Sequence, residues 1–350
     1  MNASLTPDSL APVLNLLKAA NHSYAATYPG DTVLRQPIHT VYGGAHLFSS
    51  DLAKKLSGAA LKSLSTYAPD AMSFARALGQ NVEAKDLWST VYSRMTEKLA
   101  REAVEDFRID FEDGYGNRPA AEEDGHAASA ALEVAKGMKN GTLPPFIGIR
   151  VKPFNDENVV RSVRTLDIFL TTLLKETGNR LPDGFVVTLP KITITEQSVA
   201  LTSLLGMIEK KVGLPHNTIK FELMVETPQS IIDRNGRLPL REFVNAGQGR
   251  CISAHFGTYD YTAGCNITAA FQQMGNPVCD FAKHVMQVSL AGSPIMLSDG
   301  ATNIMPIGDE SVVHNAWRIS YRNIRHSLET GYYQGWDLHP AQLPIRYAAT

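Results

Sequence analysis

The stretch "FRIDFEDGYG", residues 107–116, indicates how the chain folds. Residues 107–111 form a short strand-like run, and the carboxylates Glu112 and Asp113 follow it directly. A segment with helical spacing, residues 122–139, comes next. A short strand that ends in charged residues and leads into a helix is the repeating unit of parallel α/β proteins, because parallel neighbours need a crossover connection.

The same unit recurs along the chain. Seven further strand-like runs cover residues 38–42, 146–151, 184–191, 219–227, 251–260, 293–300 and 335–342. Segments with helical spacing cover residues 82–105, 122–139, 158–175, 195–211, 280–290 and 312–330. Eight such units in one chain predict an α/β fold of the (β/α)8 TIM-barrel type. An open doubly wound sheet is the alternative, but no GxGxxG or GxxxxGK[ST] motif follows any run.

We expect the barrel to occupy residues 35–350 as the catalytic domain, preceded by an N-terminal helical extension over residues 1–34. In this extension Leu10, Val13, Leu14 and Leu17 share one face of a helix. The chain ends eight residues after Gln342, too soon for a full closing helix. The seam beside the eighth strand should therefore be covered by the N-terminal helices or by a neighbouring subunit, which predicts a homo-oligomer.

Composition excludes several classes of partner. Of the 350 residues 44% are hydrophobic and 19% are charged, and the formal net charge is −2. Basic residues are dispersed, so neither nucleic acid nor an anionic membrane is an expected partner. The first residues do not have the basic-then-apolar layout of a secretory signal and no apolar stretch is long enough to span a bilayer, so neither a signal nor a membrane span is expected. Cys251, Cys265 and Cys279 lie too far apart for a metal clip, so inert thiols in a reducing cytoplasm are expected.

A candidate metal site follows from the barrel. The carboxyl ends of the strands converge on one pocket in this fold. Glu226 ends the fifth run and Asp260 closes the sixth. Because adjacent strands are about 5 Å apart, the two carboxylates could share one Mg²⁺ or Mn²⁺ ion. Glu222 lies on the same side of the fifth run, so it could be the ligand instead, or a buried partner of a basic residue.

Other strand ends supply the remaining candidates. Arg150 ends the third run, and its guanidinium suits a substrate carboxylate or an enolate oxygen. Glu112 and Asp113 could orient water on the metal. His46, after the first run, could act as a general base, and His255 is a second candidate.

Substrate-binding candidates are Lys191, His339 and the Gly43–Gly44 turn. The glycines could equally serve only to turn the chain, and His339 could be a hydrogen-bonded structural residue. Together with Arg150 and the metal, these groups describe a site for a small-molecule carboxylate substrate on which negative charge develops.

Six segments, in order, resemble the HpcH/HpaI aldolase and citrate lyase β-subunit-like (CitE-like) superfamily. They are "DFEDGYG" (110–116), "GIRVKPF" (148–154), "LPKI" (189–192), "MVETPQSI" (224–231), "FGTYDYT" (256–262) and "LHPAQ" (338–342). The resemblance spans residues 35–342. It implies a phosphoenolpyruvate/pyruvate-type barrel with metal ligands Glu226 and Asp260 and a substrate-binding Arg150. It also implies cleavage or formation of a carbon–carbon bond through an enolate.

The chain departs from that family at its first strand. The stretch "HTVYGGAHLF" (39–48) replaces the usual Pro-Gly turn that often precedes a coenzyme A site. A coenzyme A thioester substrate is therefore disfavoured, although still open. The main hypothesis is a Mg²⁺-dependent lyase or aldolase acting on a small hydroxy- or oxo-acid. The alternatives are phosphoenolpyruvate-type phosphoryl transfer or hydrolysis, and a non-catalytic oligomer that binds metal and ligand.

Overall fold

The computed structural model describes residues 4–350 and confirms the predicted TIM barrel. Within this range eight parallel strands form one sheet in the order β7-β6-β5-β4-β3-β2-β1-β8. The strands are β1 (His39–Gly44), β2 (Asp106–Asp110), β3 (Phe146–Arg150), β4 (Val186–Leu189), β5 (Lys220–Val225), β6 (Cys251–Phe256), β7 (Met296–Ser298) and β8 (Gly335–Asp337). Each of the eight predicted runs contains or overlaps one of them.

Thirteen α-helices lie within residues 4–350 and surround or extend the barrel. They are α1 (Pro7–Thr27), α2 (Leu52–Tyr67), α3 (Ala71–Ala77), α4 (Lys85–Glu102), α5 (Ala120–Asn140), α6 (Val159–Thr177), α7 (Thr195–Val212), α8 (Pro228–Ile231), α9 (Leu240–Ala246), α10 (Thr258–Gly264), α11 (Pro277–Leu290), α12 (Glu310–Glu329) and α13 (Leu343–Ala349). No helix in the described part is long and apolar enough to cross a membrane.

The register of neighbouring strands brings their carboxyl-terminal residues to one level. Gly44 of β1 is paired with Asp110 of β2, and Asp110 is paired with Arg150 of β3. Val225 of β5 is likewise paired with Phe256 of β6. Residues that end different strands, or directly follow them, therefore meet at the same mouth of the barrel, as the parallel arrangement predicted.

The barrel interior below this mouth contains a buried ionic cluster. Arg108 donates to both carboxylate oxygens of Glu222, at 2.8 and 2.9 Å. The Thr188 hydroxyl donates to the same carboxylate at 2.5 Å, and His255 Nε2 lies 3.2 Å from it. Burial raises the pKa of Glu222, but Arg108 and His255 outweigh it and hold the pKa well below its usual value. Glu222 is thus committed to the interior, which argues against it as the metal ligand.

The seam between β7 and β8 is the weakest join in the barrel. An isolated bridge between Ser298 and Gln334 links them, whereas every neighbouring pair in the sheet order has a ladder of at least three residue pairs. The chain's own last helix, α13, packs beside β8, where Arg346 holds Asp337 through two hydrogen bonds of 3.1 Å. No residue of α1 is buried, so this helix does not cover the seam within one chain, and cover by a neighbouring subunit stays a prediction.

Candidate active site

A cavity of about 460 Å³ opens at the carboxyl-terminal mouth of the barrel. Arg150 of β3, Glu226 directly after β5 and Asp260 in the first turn of α10 all line it. Gly43 and Gly44 of β1 line it as well. The structure therefore brings the predicted metal ligands, the predicted substrate arginine and the predicted glycine turn to one cavity.

Arg150 is held in place from below by a carboxylate that the sequence analysis did not single out. Its Nε and Nη2 atoms donate to the two oxygens of Asp110 at 2.8 and 2.5 Å. Its Nη1 atom lies 3.0 Å from Glu112, and the guanidinium sits 4.8 Å from the ring centroid of Tyr42. These contacts leave N–H groups of Nη1 and Nη2 for a ligand, because a guanidinium has five donors. Arg150 is thus oriented before any ligand binds.

Asp110 is itself fixed by the turn that follows β2. The backbone N–H groups of Glu112 and Gly114 donate to its carboxylate at 2.9 and 2.7 Å. A Cβ atom at position 114 would lie 2.6 Å from Asp110 Oδ2, so only glycine allows this approach. The turn at residues 110–114 therefore holds the Asp110 carboxylate with backbone N–H groups, and Asp110 in turn orients Arg150. Asp110 and Arg150 are partners in the strand register, so the register could have indicated this ion pair.

Glu226 is the most perturbed carboxylate of the cavity. Its side chain is 3% exposed, and Oε1 accepts the backbone N–H of Lys191 at 2.8 Å. A Cβ atom on Gly257 would lie 2.5 Å from Glu226 Oε2, so the glycine makes room for the carboxylate. Burial, opposed by Lys191 and reinforced by the charges of Glu112 and Asp260, raises the pKa of Glu226 to about 8. The positive charge of Lys191 is therefore too little to offset the burial of Glu226 and the neighbouring negative charges.

Five carboxylates, those of Asp110, Glu112, Asp113, Glu226 and Asp260, form an acidic cluster at the cavity, and the Lys191 ammonium lies among them. It contacts Glu112, and it lies 3.1 Å from Asp113 and 3.0 Å from Asp260. The backbone of Lys191 has φ of +50°, a left-handed conformation that costs a residue with a side chain roughly 1 kcal/mol or more. The hydrogen bond from its N–H to Glu226 stabilises this conformation. Lys191 thus joins the two predicted metal ligands and the two predicted water-orienting carboxylates.

Charge neighbours shift the pKa values of the cluster in different directions. Burial raises the pKa of Glu112 despite Arg150 and Lys191. The Asp113 side chain is 61% exposed, and its partial desolvation is outweighed by Lys191 and Arg150, which lower its pKa. Burial lowers the pKa of Lys191, and Glu226 and Glu112 raise it above the ordinary value. The lysine therefore stays protonated at neutral pH.

The donor set around the cavity fits a hard divalent cation with few protein ligands. Among the described residues no group of three or more His, Cys, Asp or Glu side chains forms a complete metal site. Glu226 and Asp260 nevertheless line one cavity and share one basic residue, Lys191. Mg²⁺ commonly uses one or two carboxylates and fills its other positions with water or substrate oxygen. The buried carboxylate of Glu226 and the second carboxylate, Asp260, on the same cavity are the observation that favours a bound cation here.

His46, the predicted base, lies beside the cavity but does not line it. Its ring packs against Gly44, where a Cβ atom would lie 2.6 Å from the ring. Its Nδ1 atom is buried without a hydrogen-bond partner, and burial together with Arg118 lowers its pKa. The structure thus places His46 behind the glycine turn, and its catalytic role stays a prediction.

The other predicted histidines lie elsewhere. His339 Nδ1 accepts the backbone N–H of Ala341 at 3.1 Å, which caps the short helical turn at Pro340–Gln342. Its neighbour Leu338, but not His339, lines the cavity. His255 is buried in the barrel interior beside Glu222. Neither histidine has a described contact with the acidic cluster.

Two aromatic residues form a wall that the sequence analysis missed. Tyr42 and Trp336 line the cavity, with ring centroids 4.5 Å apart. Trp336 Nε1 is buried without a hydrogen-bond partner. These residues belong to the neighbouring strands β1 and β8. Alternation along a strand only says that a side chain points inward, so the contact between the two rings had no signal in the sequence.

Comparisons with known proteins place this geometry in context. The family model described as "Domain of unknown function (DUF6986)" matches residues 17–350. No curated protein matches the sequence. A citrate lyase from Burkholderia xenovorans LB400 is similar in structure, with a TM-score of 0.59 and 16% identity, covering 91% of this chain and 78% of its own.

Malate synthase from Haloferax volcanii has the same fold. Its lead(II) complex gives a TM-score of 0.60 at 13% identity, covering 89% of this chain and 72% of its own. Its native form at 3 mM glyoxylate gives 0.61 at 12% identity, covering 91% and 76%. These likenesses agree with the TIM-barrel fold expected from the sequence.

Proposed function

Because the chain belongs to the DUF6986 family, we propose its function from the site: a metal-dependent carbon–carbon lyase or aldolase. Its substrate would be a small hydroxy- or oxo-acid, and the reaction would pass through an enolate. The carrying observation is that Arg150, Glu226 and Asp260 line one cavity although they come from three different barrel segments.

The chain's own residues define what the site would do. Arg150, aimed by Asp110, would donate its free N–H groups to a carboxylate or enolate oxygen. In the cleavage direction a base takes the proton from a hydroxyl β to a carbonyl, the carbon–carbon bond breaks, and the electron pair moves to the enolate oxygen. The preorganised guanidinium stabilises that charge without having to reorient. In the forming direction the same groups would hold the enolate before it attacks.

Glu226 and Asp260 are the residues that would hold Mg²⁺ or Mn²⁺. Such an ion supplies Lewis-acid stabilisation of a developing oxyanion. Lys191, Glu112 and Asp113 would surround that position with ordered charge. His46, the base predicted from the sequence, lies behind the Gly43–Gly44 turn and does not line the cavity, so the proposal assigns it no direct contact with the substrate hydroxyl.

The wall formed by Tyr42 and Trp336 supports a compact substrate. The cavity of about 460 Å³ lies at the lower end of the usual range for ligand pockets. A small free acid therefore fits the proposal better than a bulky one. A coenzyme A thioester would have to extend out of the mouth past the loops that follow the strands.

The test measures release of pyruvate or glyoxylate from a panel of hydroxy-acids, offered both free and as coenzyme A thioesters. The full chain should release product with Mg²⁺ or Mn²⁺ and not with a chelator. Glu226→Gln and Asp260→Asn should each lower turnover at least about 100-fold. Asp167→Asn, an exposed residue of α6, is the matched control and should keep full activity.

Two outcomes would contradict the proposal. Product release that is unaffected by the chelator would reject the metal role. Tight binding of metal and hydroxy-acid with no turnover across the panel would favour the non-catalytic alternative.

A homo-oligomer is also proposed. Helix α1 has no buried residue, and Val13, Leu14, Leu16 and Leu17 are more than half exposed. An exposed apolar helix face of this kind marks an interaction surface. Light scattering on the full chain should show a mass that is a multiple of 38.2 kDa. Leu14→Asp should lower it.

A further inference from the structure

The acidic cluster and the two cations that contact it carry an excess of negative charge. Five carboxylates and two cations contact one another around the cavity: Asp110, Glu112, Asp113, Glu226 and Asp260 with Arg150 and Lys191. With every group ionised, five negative and two positive charges leave a net charge of −3. Asp110 is satisfied by Arg150 and by two backbone N–H groups. Arg150 also reaches Glu112 at 3.0 Å and Asp113 at 4.0 Å, so within residues 4–350 Lys191 is the one cation in contact with Asp260.

Lys191 contacts both proposed metal ligands, Glu226 and Asp260. Its Nζ atom lies 3.0 Å from Asp260 Oδ2, and its backbone N–H holds Glu226 Oε1 at 2.8 Å. A bound ion would need these same two carboxylates. The ammonium and a divalent cation therefore compete for the contact with Asp260.

A second cavity gives the displaced side chain somewhere to go. About 330 Å³ of space adjoins the cluster, lined by Lys191, Glu112, Asp113, Asn117 and Asn155 among others. Lys191 can turn toward it without losing Glu112 or Asp113, because both carboxylates line this cavity too. Its backbone can stay fixed, since the N–H bond to Glu226 does not depend on the ammonium.

We propose that the Lys191 ammonium occupies the cation position of the metal-free protein. When the metal binds, the ammonium releases Asp260 and turns into the neighbouring cavity while it keeps Glu112 and Asp113. This inference rests on the proposed function, because it assumes the Glu226–Asp260 metal site. Lys191 is on this basis a positioning residue. It keeps the acidic cluster assembled before the ion arrives.

The test compares Mn²⁺ binding to the full-length wild type and Lys191→Met by calorimetry. If Lys191 fills the position in more than about nine-tenths of metal-free molecules, its removal tightens Mn²⁺ binding about tenfold or more. The metal-free variant should also melt at least about 4 °C lower, since its carboxylates lose their shared cation, and saturating Mn²⁺ should remove most of that difference. Lys220→Met, the same change at the other end of the barrel, should leave Mn²⁺ affinity unchanged.

A second measurement avoids the substitution. An amine-acylating reagent, mapped by mass spectrometry, should modify Lys191 of the wild type several-fold faster when Mn²⁺ is present, because the side chain loses one ion pair and gains exposure. Unchanged or weaker Mn²⁺ binding by Lys191→Met, or acylation unaffected by Mn²⁺, would overturn the inference and leave the proposed function standing. Absence of Mn²⁺ binding by both proteins would overturn both.

Discussion

Replacing Glu226 by glutamine should make the metal-free protein more stable, and the gain should grow with pH. The native carboxyl has a pKa of about 8 against 4.5 for an ordinary glutamate, so the folded protein holds a proton that the unfolded chain releases above pH 4.5. Stability from this group is complete below pH 4.5 and is lost as pH rises to 8. Glutamine does not titrate and still offers an oxygen to the Lys191 N–H.

The magnitude follows from the width of that window. At about 1.4 kcal/mol per pKa unit, the wild type loses roughly 3 kcal/mol relative to Glu226→Gln between pH 4.5 and pH 7. For 350 residues at about 2.1 cal/mol/K per residue, this corresponds to a melting temperature about 4 °C higher for the variant at pH 7. At pH 5 the difference should fall below about 1 °C.

The assay is thermal unfolding in chelator from pH 5 to 8.5. Glu209→Gln is the matched control, because Glu209 is equally buried but paired with Arg250 at 2.6 Å through two hydrogen bonds. Burial raises the pKa of Glu209, yet Arg250 outweighs burial and lowers it, so this variant should be less stable than the wild type at pH 7. Parallel pH curves for wild type and Glu226→Gln, or a less stable variant at pH 8, would refute the reasoning.

Three further outcomes are expected. Arg150→Lys should lower kcat/KM by about 100-fold in steady-state kinetics, because an ammonium cannot hold both oxygens of Asp110 and a substrate together. A wild-type kcat/KM for this variant would exclude Arg150 from the site. Mn²⁺ affinity should rise about tenfold per pH unit from pH 6 to 8 and then level off, because Glu226 must release its proton before it can bind the ion. Calorimetry in buffers of different ionisation enthalpy should show that one proton is released for each Mn²⁺ bound. Asp337→Asn should destabilise the protein by about 3 kcal/mol in urea unfolding, because Arg346 loses a buried carboxylate, and a change under 0.5 kcal/mol would contradict this account.

The strands could be predicted because their local patterns agree with the fold. The runs are short, most are rich in β-branched or aromatic residues, and most end near a charge or a glycine; the runs at residues 293–300 and 335–342 are poorer in such residues. Helices α2 and α3 were missed, as were the short helices α9 and α10. The apolar pattern of α2 is interrupted by lysines and serines, and α9 and α10 lie inside loops whose path depends on packing.

The site could be predicted only at the level of which strand ends meet. That placed Arg150, Glu226 and Asp260 together, since parallel strands converge in any barrel. The sequence did not show that Lys191 adopts φ of +50° and turns its ammonium into the acidic cluster. Nor could it separate His46 from the cavity, because the packing of its ring on Gly44 depends on three-dimensional contacts.

One isolated bridge and two backbone hydrogen bonds, from Asp299 to Gln334 and from Trp336 to Gly300, join the chain along the line between β7 and β8, so these are the edge strands of a weakly closed sheet. Each edge strand has only three residues, too short to template pairing with a foreign strand, so the weak join carries little risk of edge-to-edge aggregation. Amide protons at this line should exchange with solvent ahead of those in β2 to β5, since local opening there breaks the fewest bonds. Because Trp336 of β8 lines the candidate active site, local opening along this line would widen the mouth of the barrel beside it.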